Sequence, residues 1–62
     1  MRIEAHNRYN NPAHIILDRS RNHPNKLFMS TPNIIEMTPE HVDQFIAGLQ
    51  AKAEELWPNR NN

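Results

Sequence analysis

The chain has 62 residues, a formal net charge of zero at pH 7 and no cysteine. A chain of this length has room for one domain with a thin core, since it buries only about 60% of the surface that its unfolded form exposes. Disulfides and cysteine-based zinc sites are excluded. The zero net charge argues against a general nucleic-acid binder. No apolar run approaches the roughly 20 residues of a membrane span.

The N-terminal residues, which have no apolar stretch, do not resemble a secretory signal, so we expect a cytoplasmic protein. The charges are unevenly placed along the chain. Residues 1–31 contain five Lys or Arg and two Asp or Glu, whereas residues 32–62 contain two and five. This polarity, basic and then acidic, bears on association with a partner and not on the fold.

Short apolar runs separated by turn residues predict β-strands at residues 13–19, 26–31 and 33–37. The polar residues between the first two runs predict a hairpin turn, and Pro32 predicts a bulge, a bend or an edge position. Residues 1–9 alternate in a way that is compatible with a fourth strand. The sequence therefore predicts a small antiparallel sheet of three or four strands.

A helix is predicted after the sheet, because Thr38 can cap its first turn and Pro39 suits the first helical position. The apolar residues that follow at helical spacing are Val42, Phe45, Ile46, Leu49, Ala53 and Leu56. We expect this stripe, including Phe45 and Leu49, to pack on one face of the sheet. Pro58 ends the helix, so residues 1–57 form an α+β domain and residues 58–62 a flexible tail.

Within the predicted strands, side chains alternate between the two faces of the sheet. The set expected to meet the helix is Ile15, Leu17, Leu27, Met29, Ile35 and Met37. The alternate set, Ile16, Phe28 and Ile34, points away and has no helix to cover it. Uncovered apolar patches often mark contact surfaces, so these three residues are the predicted partner-binding site. Scattered surface hydrophobic residues are the alternative interpretation.

These features favour a small protein-interaction module that is not an enzyme. We expect it to form a homodimer, or else to bind another protein, through the uncovered sheet face or an open strand edge. The alternative is a nucleic-acid-binding protein whose basic hairpin contacts phosphates. The residues that would make that contact are Arg19, Arg21, His23 and Lys26.

No chemical site is predicted beside these surfaces. The four histidines, His6, His14, His23 and His41, lack the close paired spacing of a structural zinc site. The two serines have no nucleophile motif around them, and a single glycine, Gly48, rules out a glycine-rich phosphate loop. We therefore expect no metal, no cofactor and no catalytic residue.

Overall fold

The structure, a computed structural model, describes residues 1–60. Its elements in chain order are β1 (Arg2–His6), β2 (Pro12–Arg19), β3 (Leu27–Ser30) and α1 (Pro39–Leu56). The strands form an antiparallel sheet in the order β1-β2-β3, and α1 packs against it. The predicted α+β class is confirmed, and the strand that residues 1–9 allowed is present as β1.

The connection between β1 and β2 is held by a local asparagine turn. The side-chain oxygen of Asn7 accepts hydrogen bonds from the backbone N–H groups of Tyr9 at 2.8 Å and Asn11 at 3.0 Å. Asn10 adopts a positive φ of 64°, a conformation that asparagine tolerates better than most residues. This turn sets the β1–β2 register, in which Ile3 lies opposite Ile15.

The prediction of a strand at residues 33–37 is wrong. Only one residue of that segment pairs with the sheet: Glu36 forms an isolated bridge with His6, through N–O distances of 2.9 and 2.8 Å. Pro32 has a fixed φ and no N–H, so it cannot continue a ladder out of β3. The chain instead bends and leads to β1, while Ile35 and Met37 pack onto the core.

The core lies between α1 and one face of the sheet. Its centre is the cluster of Ile3, Ile15 and Leu17, of which Ile15 is 1% and Leu17 0% exposed. Leu27, Ile35, Met37 and Phe45 pack against this cluster. Met29 is the exception to the predicted core, because α1 lies over β1 and to a lesser extent β2, leaving Met29 52% exposed.

The helix is rotated relative to the predicted phase. Phe45 packs on the core as expected, but Leu49 is 36% exposed and the stripe residues Val42 and Ile46 are also exposed. Gly48, which is not part of the predicted apolar stripe, faces the sheet. A Cβ atom there would lie 2.6 Å from Cδ1 of Ile3, so glycine permits a close approach of helix to strand.

The predicted cap at the start of α1 is present and is reciprocal. The Thr38 hydroxyl accepts a hydrogen bond from the His41 N–H at 3.1 Å, and Nδ1 of His41 accepts one from the Thr38 N–H at the same distance. Histidine here occupies the position that Glu or Gln usually takes in such a box. Two backbone donors that the first turn would leave unpaired are thereby satisfied.

The far end of α1 is fastened to the β2–β3 hairpin. The indole Nε1 of Trp57, which follows the helix, donates a hydrogen bond to the Asn25 carbonyl at 3.0 Å. Of the predicted tail, residues 58–60 form a turn in which the Arg60 N–H donates to the Trp57 carbonyl. Residues 61 and 62 of that tail lie outside the described residues.

Candidate interaction surface

Two of the three residues predicted to bind a partner lie on the sheet face opposite the helix. In the β2–β3 register Asp18 pairs with Phe28 and Ile16 with Ser30, so Ile16 and Phe28 share one face as diagonal neighbours. Phe28 is 48% exposed and Ile16 is half-buried. The alternation predicted for β2 and β3 is therefore present, with Ile15 and Leu17 aimed at the core.

Ile34, the third predicted contact residue, is exposed but lies on the bend that precedes the Glu36 bridge. Because this segment is not a strand, no pleat alternation aligns Ile34 with Phe28. The structure does not bring it into the groove that contains the other two.

A groove of about 450 Å³ adjoins Phe28 on the open face. It is lined by Ile16, Asp18, Arg19, Ser20, Arg21, Asn22 and Phe28. Two of the predicted apolar contacts and two of the predicted basic contacts thus share one concavity. The sequence predicts them as two alternative sites, because no local pattern specifies how the hairpin loop folds beside the strand that follows it.

The loop of the hairpin is ordered by its own hydrogen bonds. The Ser20 N–H donates to the Lys26 carbonyl at 3.0 Å, and the Lys26 N–H donates to the His23 carbonyl at 2.8 Å. The Ser20 hydroxyl accepts from the His23 N–H at 3.1 Å. With the Trp57 bond to Asn25, these contacts give the groove a defined wall.

The four basic residues predicted to contact nucleic acid are not equivalent. The Arg19 guanidinium donates to the Pro24 carbonyl within the same loop, so part of its hydrogen-bonding capacity holds the loop together. Arg21, His23 and Lys26 are exposed. A ligand at this end of the molecule therefore meets the cationic side chains of Arg21 and Lys26 and the imidazole of His23 on an ordered loop.

Asp18 is the acidic residue of the groove lining. Its Oδ1 accepts a hydrogen bond from the Arg19 N–H at 2.8 Å and lies 3.9 Å from Nζ of Lys52. The hydrogen bond from Arg19, with the nearby positive charges of Lys52 and Arg21, lowers the pKa of the Asp18 carboxyl below its ordinary value. The groove thus combines an apolar floor with a fixed negative charge and arginines at its rim.

The outer edge of β3 adjoins this groove and is also open. Within residues 1–60, β3 is the terminal strand of the sheet, and no strand pairs with its outer side. On each face of β3 one apolar side chain is about half exposed, Phe28 on one face and Met29 on the other. The sequence shows that this strand has no charged residue, proline or glycine between Leu27 and Ser30. Only the strand order shows that it lies at the edge of the sheet.

The histidines form one close pair. The rings of His6 and His41 meet edge to face, with centroids 4.8 Å apart, at the start of the helix. Nε2 of His14 lies 3.6 Å from Oε1 of its cross-strand neighbour Glu4. Among the described residues, no three His, Asp or Glu side chains converge as metal ligands. His41 of this pair is also part of the helix cap.

No helix within residues 1–60 has the length and apolar character needed to cross a bilayer. Comparisons with protein-family models, curated proteins and solved structures found no match. Any function must therefore be inferred from the surface of the chain itself.

Proposed function

We propose that this protein is a small, non-enzymatic interaction module that binds another protein chain through the open face and edge of its sheet. The observation that carries the proposal is Phe28, an aromatic residue that is half exposed on a strand at the edge of the sheet. Aromatic residues are enriched among those that dominate interface energetics. In a domain with so thin a core, burial of Phe28 by a partner would add apolar contact that the chain cannot supply alone.

The surroundings of Phe28 support this proposal. Ile16 extends the apolar surface into the groove, and Arg19 and Arg21 form a polar rim. An apolar centre with a polar rim is the usual anatomy of a protein interface, and arginine is enriched there. The loop that carries the rim is held by hydrogen bonds, so less conformational entropy would be lost on binding.

The experiment compares the wild-type chain with Phe28→Glu and with Gln50→Glu, a matched charge change at an exposed helix position. Complexes are isolated by affinity purification and their composition and mass measured by native mass spectrometry. We expect the wild type and Gln50→Glu to form the same complex, with a second copy or with another protein, and Phe28→Glu to lose it. Circular dichroism should show equal helix content in all three. Retention of the complex by Phe28→Glu would contradict the proposal.

Nucleic-acid binding is the rival function, favoured by the exposure of Arg21, His23 and Lys26 on an ordered loop beside Phe28. It predicts binding to single-stranded oligonucleotides that weakens steeply with salt, because each neutralised phosphate releases a counterion. Fluorescence anisotropy at 50 and 200 mM salt measures this. Our proposal predicts weak binding that Phe28→Glu and Gln50→Glu reduce equally. Tight, salt-steep binding that Arg21→Ala and Lys26→Ala abolish would favour the rival.

A further inference from the structure

The backbone of β3 is divided between an inner and an outer side. The Ser20 N–H donates to the Lys26 carbonyl, so that carbonyl points toward the β2 side of the hairpin. In an antiparallel ladder this direction alternates from one residue to the next. Phe28 therefore also points its N–H and C=O toward β2, whereas Leu27 and Met29 point theirs outward. Within residues 1–60 no other strand accepts those outward groups.

β3 is short and is flanked by Lys26 and Pro32, but the four residues between them do not protect the edge from pairing. Natural edges carry charged residues, proline or bulges, or are covered by another element. β3 has none of these residues between Leu27 and Ser30. Its two central side chains are half exposed on opposite faces of the sheet, Phe28 on the groove side and Met29 on the helix side. A strand added at this edge would cover both.

We infer that β3 pairs antiparallel with β3 of a second copy, which joins the two sheets into one of six strands. The inference rests on the proposed function and names its partner. A two-fold axis perpendicular to the sheet keeps each face on its own side, so residues of the same face must oppose each other. The register that stays within β3 sets Phe28 opposite Phe28 and Leu27 opposite Met29, where the outward N–H and C=O groups exchange hydrogen bonds.

The charges and the aromatic residue of β3 are compatible with a second copy as the occupant. In this register Lys26 of one copy lies opposite Ser30 of the other, so no like charges face each other across the new ladder. The antiparallel arrangement also places the basic loop of each copy at the opposite end of the joint from the other. The two Phe28 rings meet at a position that lies between hydrogen-bonded pairs, where cross-strand side chains come closest.

The small size of the β3–β3 interface determines the expected affinity of the dimer. A ladder of four residues buries less than the roughly 1,200 Å² typical of stable interfaces. We therefore expect a dimer that dissociates on dilution. Sedimentation velocity from micromolar to millimolar chain concentration should show a shift from one chain to two.

Single-cysteine cross-linking tests the register, and the cysteine-free chain makes the test clean. Opposed residues at such a position have Cα atoms about 4.5 Å apart, within the range that a disulfide bridges. Phe28→Cys should form a covalent dimer under mild oxidation. Met29→Cys should not, because two diagonal Met29 positions lie beyond about 7 Å. Asn22→Cys, on the exposed loop, measures random collision.

A proline substitution tests the edge without disturbing the fold. Met29→Pro removes an outward N–H and leaves the ladder to β2 intact, which is where a strand tolerates proline. We expect a monomer with unchanged helix content by circular dichroism, while Met29→Leu should dimerise as the wild type does. Phe28→Pro, which removes an inward N–H, should instead unfold the hairpin.

A wild type that stays monomeric to millimolar concentration would overturn the inference. So would cross-linking of Phe28→Cys no faster than Asn22→Cys. Preferential cross-linking of Met29→Cys would overturn the register. If the wild type is monomeric yet binds a different protein that Phe28→Glu no longer binds, the pairing inference fails and the proposed function stands.

Discussion

Ile16 and Leu17 are neighbours in β2 and meet opposite environments. Leu17 is fully buried beneath the helix, whereas Ile16 lies half-buried in the groove on the open face. Because side chains alternate along a strand, these two apolar residues lie on opposite faces of the sheet, and one helix can cover only one face. In a fold of one sheet and one helix, the apolar sheet face opposite the helix therefore stays available for contact with another chain.

The same contrast recurs between β1 and β3. The helix lies over β1, where Gly48 approaches Ile3 closely, and leaves the helix-side residue Met29 of β3 half exposed. The free edge of β1 is partly occupied by the Glu36 bridge, whereas the outer edge of β3 has no strand beside it within the described chain. Exposed apolar surface therefore concentrates around β3.

The largest loss of stability should come from a substitution in the core, on the sheet face that the helix covers. Leu17→Ala removes a fully buried side chain and should lower the free energy of unfolding by about 2–5 kcal/mol, enough to unfold a domain of this size. Ile16→Ala, one residue away, should cost clearly less because its side chain is only half-buried. Urea denaturation followed by circular dichroism compares the two. Equal losses would mean that both faces are covered in solution.

A smaller effect should follow from filling the space at Gly48, where helix and sheet come closest. Gly48→Val places a branched side chain against Ile3 and should cost about 1–3 kcal/mol through overpacking. Ala51→Val introduces the same side chain at an exposed helix position and should cost only its helix propensity, well under 1 kcal/mol. Thermal unfolding of the pair measures the difference. If Gly48→Val were the milder change, the helix would not sit against β1 as described.

Removing the helix cap formed by Thr38 and His41 should lower the stability of the protein moderately. Thr38→Ala should lower stability by about 0.5–2 kcal/mol, since it leaves a first-turn N–H unpaired. His41→Ala should cost less, and His41→Gln should recover part of the loss because glutamine can also accept from the Thr38 N–H. An unchanged melting temperature for Thr38→Ala would contradict the cap.

The smallest loss of stability should come from removing the charge of Asp18 on the open face. The pKa of Asp18 is lowered in the folded protein, so its ionised form stabilises the fold at neutral pH, and this contribution is lost as pH falls through that lowered pKa. Asp18→Asn should therefore be slightly less stable than the wild type above about pH 4 and converge with it in stronger acid. Unfolding midpoints measured from pH 2 to 7 test this. A difference that persists in acid would assign the effect to packing.

The sequence by itself determined the parts of the molecule that depend on neighbours along the chain. Thr38 as the cap follows from local backbone chemistry, and the opposite aims of Ile16 and Leu17 follow from the pleat of a single strand. The order of strands and helix follows from apolar spacing. These features need no knowledge of how the elements meet.

The tertiary structure decided which apolar surfaces are covered. The strand expected at residues 33–37 became a single bridge at Glu36, because the segment serves as a crossing from β3 to β1. Gly48 turned inward and Leu49 outward, because helix rotation depends on the closest approach to Ile3 and not on helical spacing alone. Phe28 joined Arg21 in one groove for the same reason: contacts between distant residues are set by the packing of whole elements, which no local pattern encodes.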